Sequence, residues 1–207
     1  MDRRGFFRQG LRQLLAPLER AIGPVELIAK QIGTLESRFQ KVALLRYPND
    51  FLRPPGALPE QEFLDTCSRC GTCVRVCPAQ CIKIDSSGTT AGGKPYIQAD
   101  LSACVVCDGR FCMYNCPSGA LQPTALVDID MGTAQWDPTT CVRRTGDDCK
   151  LCVEACPLGT AAIDLAGDRI QVKEQGCVGC GLCQQVCPTV PKSIFVIPVR
   201  KRDAEPA

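Results

Sequence analysis

Seventeen cysteines stand in a chain of 207 residues that contains no histidine. Sixteen fall into four groups: Cys67, Cys70, Cys73, Cys77; then Cys104, Cys107, Cys112, Cys116; then Cys141, Cys149, Cys152, Cys156; then Cys177, Cys180, Cys183, Cys187. Thiolates at such spacing can serve as disulfide partners, zinc ligands or iron–sulfur ligands. The missing histidine removes mixed Cys/His zinc sites, Rieske-type centres and His-ligated haem. No Cys-x-x-Cys-His is present for c-type haem attachment.

The first cysteines of the groups lie 37, 37 and 36 residues apart. An even period of this length marks a repeated supersecondary unit. Each group ends in Cys, three residues, Cys, Pro. The outer two read C-x2-C-x2-C-x3-C-P without interruption, the run that holds [4Fe–4S] clusters in bacterial ferredoxins. Three closely spaced thiolates can take three corners of a cubane, so the fourth corner must come from elsewhere. Proline after the last cysteine fixes φ where the chain turns away. Gly71, Gly179 and Gly181 let the loops pass close to the cluster. The inner groups carry the same pattern with insertions, Asp108 to Phe111 and Val142 to Asp148, expected as exposed excursions.

Four such groups predict four [4Fe–4S] clusters with those sixteen cysteines as ligands. Zinc favours two separated C-x2-C pairs over a triplet plus a proline-flagged fourth. A disulfide scaffold would leave one of seventeen cysteines over. The seventeenth, Cys81, is expected as a small buried side chain beneath a cluster and not a ligand, because Ala120 holds the matching place after Cys116. A replacement ligand or redox thiol is the alternative role.

The elements that must position these loops are short. Strands are expected at Ile82–Ile84, Pro95–Ile97, Ala120-Leu121, Ala134–Trp136, Ala162-Ile163, Arg169–Val172 and Ser193–Val196, with Ser87-Gly88, Gly92-Gly93 and Ala166–Asp168 as turns. Each unit then reads as cluster loop, helical turn and β-hairpin. Tyr96 and Trp136 are expected to pack over a hairpin or cluster. The fold class is α+β: a duplicated bacterial-ferredoxin-like arrangement of two 2[4Fe–4S] units, with an N-terminal helical extension. Residues 62–199 form the four-cluster domain, and residues 200–207 a charged tail.

The N-terminal part has a different composition. Asp2-Arg3-Arg4-Gly5-Phe6-Phe7-Arg8 is close to a twin-arginine export address. Residues 11–30 lack the uncharged apolar stretch of a targeting segment, carrying Arg12, Glu19, Arg20, Glu26 and Lys30. That deficit favours the cytoplasm, with twin-arginine export to the periplasm as the alternative. Residues 1–46 instead read as amphipathic helices, with Leu11, Leu14, Leu15, Leu18 and Ile22 on one face. Packing on the ferredoxin part or a partner is expected, against a membrane-surface anchor helped by Arg3, Arg4, Arg8 and Arg12. Residues 47–61, rich in proline, read as the linker. No transmembrane span is expected, and a net charge of +2 does not point to nucleic acid.

The order of the groups, with CPSGAL after the second, MGTA before the third and PKSI after the last, resembles the NapG/MauM ferredoxin-type proteins over residues 62–199. These accompany periplasmic nitrate reductase and methylamine dehydrogenase systems. The resemblance implies an electron carrier with donor and acceptor proteins, among them a membrane-associated oxidoreductase or quinol-oxidising subunit. In the wider superfamily of four-cluster subunits, outer groups pair and inner groups pair. Carried over, this implies Cys67, Cys70, Cys73 with Cys187; Cys177, Cys180, Cys183 with Cys77; Cys104, Cys107, Cys112 with Cys156; and Cys141, Cys149, Cys152 with Cys116. Pairing of adjacent groups is the alternative. No nucleophile–base or paired-carboxylate motif appears, and the absence of histidine weakens a case for acid–base catalysis. A zinc-stapled interaction module and a catalytic iron–sulfur subunit are the competing readings.

Overall fold

The computed structural model describes residues 51–88 and 91–199. The expected helices of residues 1–46, the twin-arginine-like start and the tail of residues 200–207 lie outside the described residues.

The order of elements reflects the repeat. Helix α1 (Glu60–Thr66) leads into the first cysteine loop and α2 (Thr72–Val76) leaves it. Strands β1 (Ile82–Ile84) and β2 (Pro95–Ile97) follow, then α3 (Phe111–Tyr114) inside the second group. Strand β3 (Gly132–Trp136) precedes α4 (Leu151–Glu154), β4 (Ile163–Ala166) and β5 (Arg169–Val172). Helix α5 (Leu182–Val186) and β6 (Ile194–Pro198) complete the chain. Helices α2 to α5 have four or five residues, about one turn each, because each must end where the next cysteine leaves for a neighbouring cavity.

Two of the expected hairpins form. Strands β1 and β2 pair antiparallel with Ile82 opposite Ile97, and β4 and β5 pair with Ile163 opposite Val172. The buried Asp85 carboxylate holds the first hairpin's loop, accepting from the amides of Ser87, Gly88, Ala91 and Gly93 at 2.8–3.3 Å. The expected local pairing of Ala120-Leu121 with Ala134–Trp136 does not occur. Leu121 instead bridges to Ala57, and β3 pairs with the distant β6, Trp136 opposite Ile194. Pro123 removes a donor just past Leu121, which shortens any strand there.

The linker expectation is corrected for residues 51–58. Phe51, Leu52, Arg53, Pro54 and Pro55 are buried. Leu52 and Ile97 exchange backbone hydrogen bonds at 2.8 Å, and the Gln122 amide donates to the Gly56 carbonyl at 2.7 Å. The prolines suit this strap because it lies at a sheet edge, where missing N–H groups cost little. Arg53 anchors it. Its guanidinium pairs with Glu60 through Nε (2.9 Å) and Nη2 (2.6 Å), donates to the Pro95 and Ala91 carbonyls, and lies 4.7 and 4.8 Å from the Phe51 and Phe63 ring centres. Tyr96 meets Phe51 edge-on at 5.9 Å, the hairpin packing expected of it.

Candidate metal centres

The short helices decide where each cysteine goes. In α2, Cys73 faces one cavity, and Cys77, just past the helix end, lines another. In α3 the traffic reverses: Cys112 lines the second cavity and Cys116 the first. Helices α2 and α3 pack together, as do α4 and α5. The second half repeats the exchange, with Cys152 and Cys187 in one cavity and Cys183 and Cys156 in the other.

Four cavities result, each lined by one complete triplet and one visiting cysteine. Cys67, Cys70 and Cys73 meet Cys116. Cys104, Cys107 and Cys112 meet Cys77. Cys141, Cys149 and Cys152 meet Cys187. Cys177, Cys180 and Cys183 meet Cys156. The cavities group the cysteines by adjacent groups, the alternative to the pairing that the resemblance implied: Cys187 lines the cavity of Cys141 and not that of Cys67, and Cys116 lines that of Cys67 and not that of Cys141. The physical reason is the hairpins. Strands β1 and β2 return group two beside group one, and β4 and β5 return group four beside group three, so the visiting cysteine of each cavity comes from the nearer neighbour.

Loop backbone is bent for this purpose. Arg69, Val106 and Gly179, each immediately before the second cysteine of its group, have φ of 58°, 49° and 69°. Gly71, Arg110 and Gly181 open the following helix at φ of 70°, 40° and 85°. Such left-handed residues turn successive amides inward and form a concavity for an anionic group. Amides also reach sulfur directly: Val106 to Cys104 and Leu121 to Cys116 at 3.4 Å, and Ala134 to Cys177 at 3.5 Å. The third group departs from the pattern, since its seven-residue insertion takes the place of the tight turn. Arg143 folds that insertion back, donating to Asp148, the Cys149 carbonyl and the Asp168 carbonyl at 3.0–3.1 Å. Residues 144–148 are exposed, as expected; in the second group, Gly109 and Arg110 are half-buried.

The electrostatics ask for positive charge at the centres. Burial pushes Cys73 and Cys152 up to about 11 and Cys112 and Cys180 up to about 12, with neighbouring cysteines adding to it, for Cys180 first among them Cys104 of the second cavity. Desolvated thiolates crowded together resist ionisation unless a cation offsets them. At Cys187 burial acts upward too, but hydrogen bonds from Thr189, Ser193 and Ile194 outweigh it and leave the thiol lowered. Cys70, exposed, is lowered chiefly by its hydrogen bonds with Thr72.

The donor set fits iron–sulfur cubanes. No three His, Cys, Asp or Glu side chains among the described residues converge on a single-ion position. The sulfurs spread instead around four separate cavities, four ligand candidates to each. Two buried donors without a partner among the described residues, Arg110 Nε and Trp136 Nε1, belong to residues lining these cavities. Cys81 is buried in the second cavity, its Sγ 3.6 Å from that of Cys77. Burial and the thiols of Cys104 and Cys77 push Cys81 far up, its hydrogen bond with Cys104 contributing most.

Sequence reasoning missed the seam between the halves. The Cys104 amide donates to the Cys180 carbonyl at 3.0 Å. Gln184 Nε2 donates to Asp100 at 2.9 Å, and Gln185 accepts from the Ala103 amide at 3.1 Å while donating to the Leu101 carbonyl at 3.3 Å. The pair Gln184-Gln185 inside the last cysteine group was the available signal, since a buried amide side chain needs partners.

Comparison with known proteins follows the same divisions. The model of the 4Fe–4S dicluster domain matches residues 66–120 and again 140–190, each stretch holding two adjacent groups. The methylamine utilization ferredoxin-type protein MauM of Methylophilus methylotrophus is 34% identical, over 95% of this chain and 87% of its own. MauM of Paracoccus denitrificans is 35% identical over 71% of each chain. The ferredoxin-type protein NapG of Escherichia coli is 32% identical over 96% of this chain and 90% of its own. The chain belongs to the MauM/NapG ferredoxin-type proteins, a family of 4Fe–4S electron-transfer proteins.

Proposed function

We propose that the chain holds four [4Fe–4S] clusters on sixteen cysteines and relays electrons between two partner proteins. The observation that carries this is the reciprocal exchange of the fourth cysteine between adjacent cavities, made twice. Bound clusters would supply one-electron chemistry, and the chain supplies position, insulation and the field at each sulfur.

The order of the row follows from the contacts. The Cys104–Cys180 hydrogen bond joins the second cavity to the fourth. Cys152 of the third cavity in turn acts on Cys183 of the fourth, adding to the burial and the neighbouring thiols of Cys180 and Cys177 that push Cys183 well up. The row therefore runs first, second, fourth, third. The two inner cavities each have two buried cysteines from their set, and the two outer ones have one each. Exposed Cys70 marks the outer end of the first half. Both ends are then open to partners while the middle is shielded.

The chain acts as a carrier without turnover of its own. Its partners are redox proteins of an oxidoreductase system, the role suggested by relatives named for methylamine utilization. Among the described residues no helix is long and apolar enough to cross a membrane. The experiment is an iron and acid-labile sulfide count on anaerobically purified protein. About sixteen of each per chain is expected from four cubanes. About four zinc without sulfide would overturn the reading.

A further inference from the structure

Strand β3 runs past both cavities of the second half. Ala134 lines the cavity of Cys156, Cys177, Cys180 and Cys183, and its amide donates to Cys177 Sγ. Two residues on, and therefore on the same face of the strand, Trp136 lines the cavity of Cys141, Cys149, Cys152 and Cys187. The strand is held in register there by Ile194 opposite Trp136 and by the Asp137 amide donating to the Ser193 carbonyl at 2.7 Å.

The Trp136 indole N–H is buried and has no hydrogen-bond partner among the described residues. An indole nitrogen can only donate. Leaving a buried donor unmade costs about 1–3 kcal/mol, and native proteins rarely tolerate it. The cavity that Trp136 lines also holds the sulfurs of Cys141, Cys149, Cys152 and Cys187 among mostly apolar neighbours such as Val142, Leu151 and Ile170, and sulfur is the natural acceptor once thiolates and a cluster occupy it.

We propose that Trp136 Nε1–H donates a hydrogen bond to a sulfur of the cluster held by Cys141, Cys149, Cys152 and Cys187, and so sets that cluster's potential above what the cysteines alone would give. The inference rests on the four-cluster reading. A hydrogen bond to cluster sulfur favours the reduced, more negatively charged state. The device sits at one end of the row, where a raised potential draws electrons outward to a partner. Its third-group loop lacks the left-handed residue before the second cysteine that the other three groups possess, so a side-chain donor compensates for a poorer set of inward amides.

The test uses the whole protein with its clusters. Trp136 is the chain's one tryptophan, so ¹⁵N-indole tryptophan labels a single nitrogen. Pulsed EPR of the reduced wild-type protein is expected to show a ¹⁵N coupling that the unlabelled protein lacks. Trp136→Phe keeps the ring and deletes the donor. At unchanged iron content, potentiometric titration is expected to show one reduction wave moved to lower potential and the rest unmoved. Absence of the ¹⁵N coupling overturns the proposal. So does an unshifted titration, or loss of iron from Trp136→Phe, which would make the indole a packing element. A wild-type protein with full zinc and no sulfide would instead fail the four-cluster reading.

Discussion

Cys104 and Cys180, ligand candidates from opposite halves of the chain, are joined by a backbone hydrogen bond of 3.0 Å. The shortest route between the two dicluster halves thus runs through the ligand loops themselves. Gly181, next to Cys180, has φ +85°, and a Cβ placed there would come within 2.5 Å of Ala99 Cβ. Gly181→Ala is expected to destabilise the protein by about 1–3 kcal/mol from backbone strain, with the steric clash adding to it. Gly119, with φ +73° and nothing within 4 Å of its Cβ position, is the comparison. Gly119→Ala should cost less, and denaturant unfolding of the two variants under anaerobic conditions measures the difference.

The exchange of fourth cysteines makes iron counting a test of pairing. Each cluster lost removes about four iron. Cys67→Ala with Cys116→Ala should lose no more iron than either alone, because both line one cavity. Cys67→Ala with Cys187→Ala should lose twice as much, because these line different cavities. The opposite result would restore outer-with-outer pairing.

Cys81 shares a cavity with Cys77, Cys104, Cys107 and Cys112. Four cysteines already complete that set, so Cys81→Ala is expected to retain the wild-type iron content. A fall by about four iron would make Cys81 a ligand. Loss of one buried sulfur should lower stability by only about 1 kcal/mol.

The strap of residues 51–58 depends on Arg53. Arg53→Ala leaves Glu60 without its bidentate partner and the Ala91 and Pro95 carbonyls without their donor. Breaking a buried ion pair of this kind costs about 3–5 kcal/mol, and the half-exposed Glu60 places this case at the lower end. Denaturant unfolding of the cluster-loaded variant checks it. Glu60→Gln, which keeps one hydrogen-bond acceptor, should cost less.

Cysteine spacing alone determined the chemistry, the number of candidate ligands and the duplication, because a cubane's geometry demands three thiolates close in sequence and one from beyond. Local sequence also determined β1, β2 and β5, where β-branched or aromatic residues lie between turn signals. The partner of each triplet was a tertiary decision. Cys77 and Cys116 carry the same local pattern as Cys156 and Cys187, so nothing local says which cavity each enters. The two hairpins decide that by returning adjacent groups to each other's side. The same holds for the strap and the seam: prolines before Glu60 read as linker until Arg53 is seen between two rings, and the amide pair Gln184-Gln185 shows its partners only where it clasps the segment from Asp100 to Ala103. Each is a long-range pairing of groups that satisfy one another only after the chain has closed.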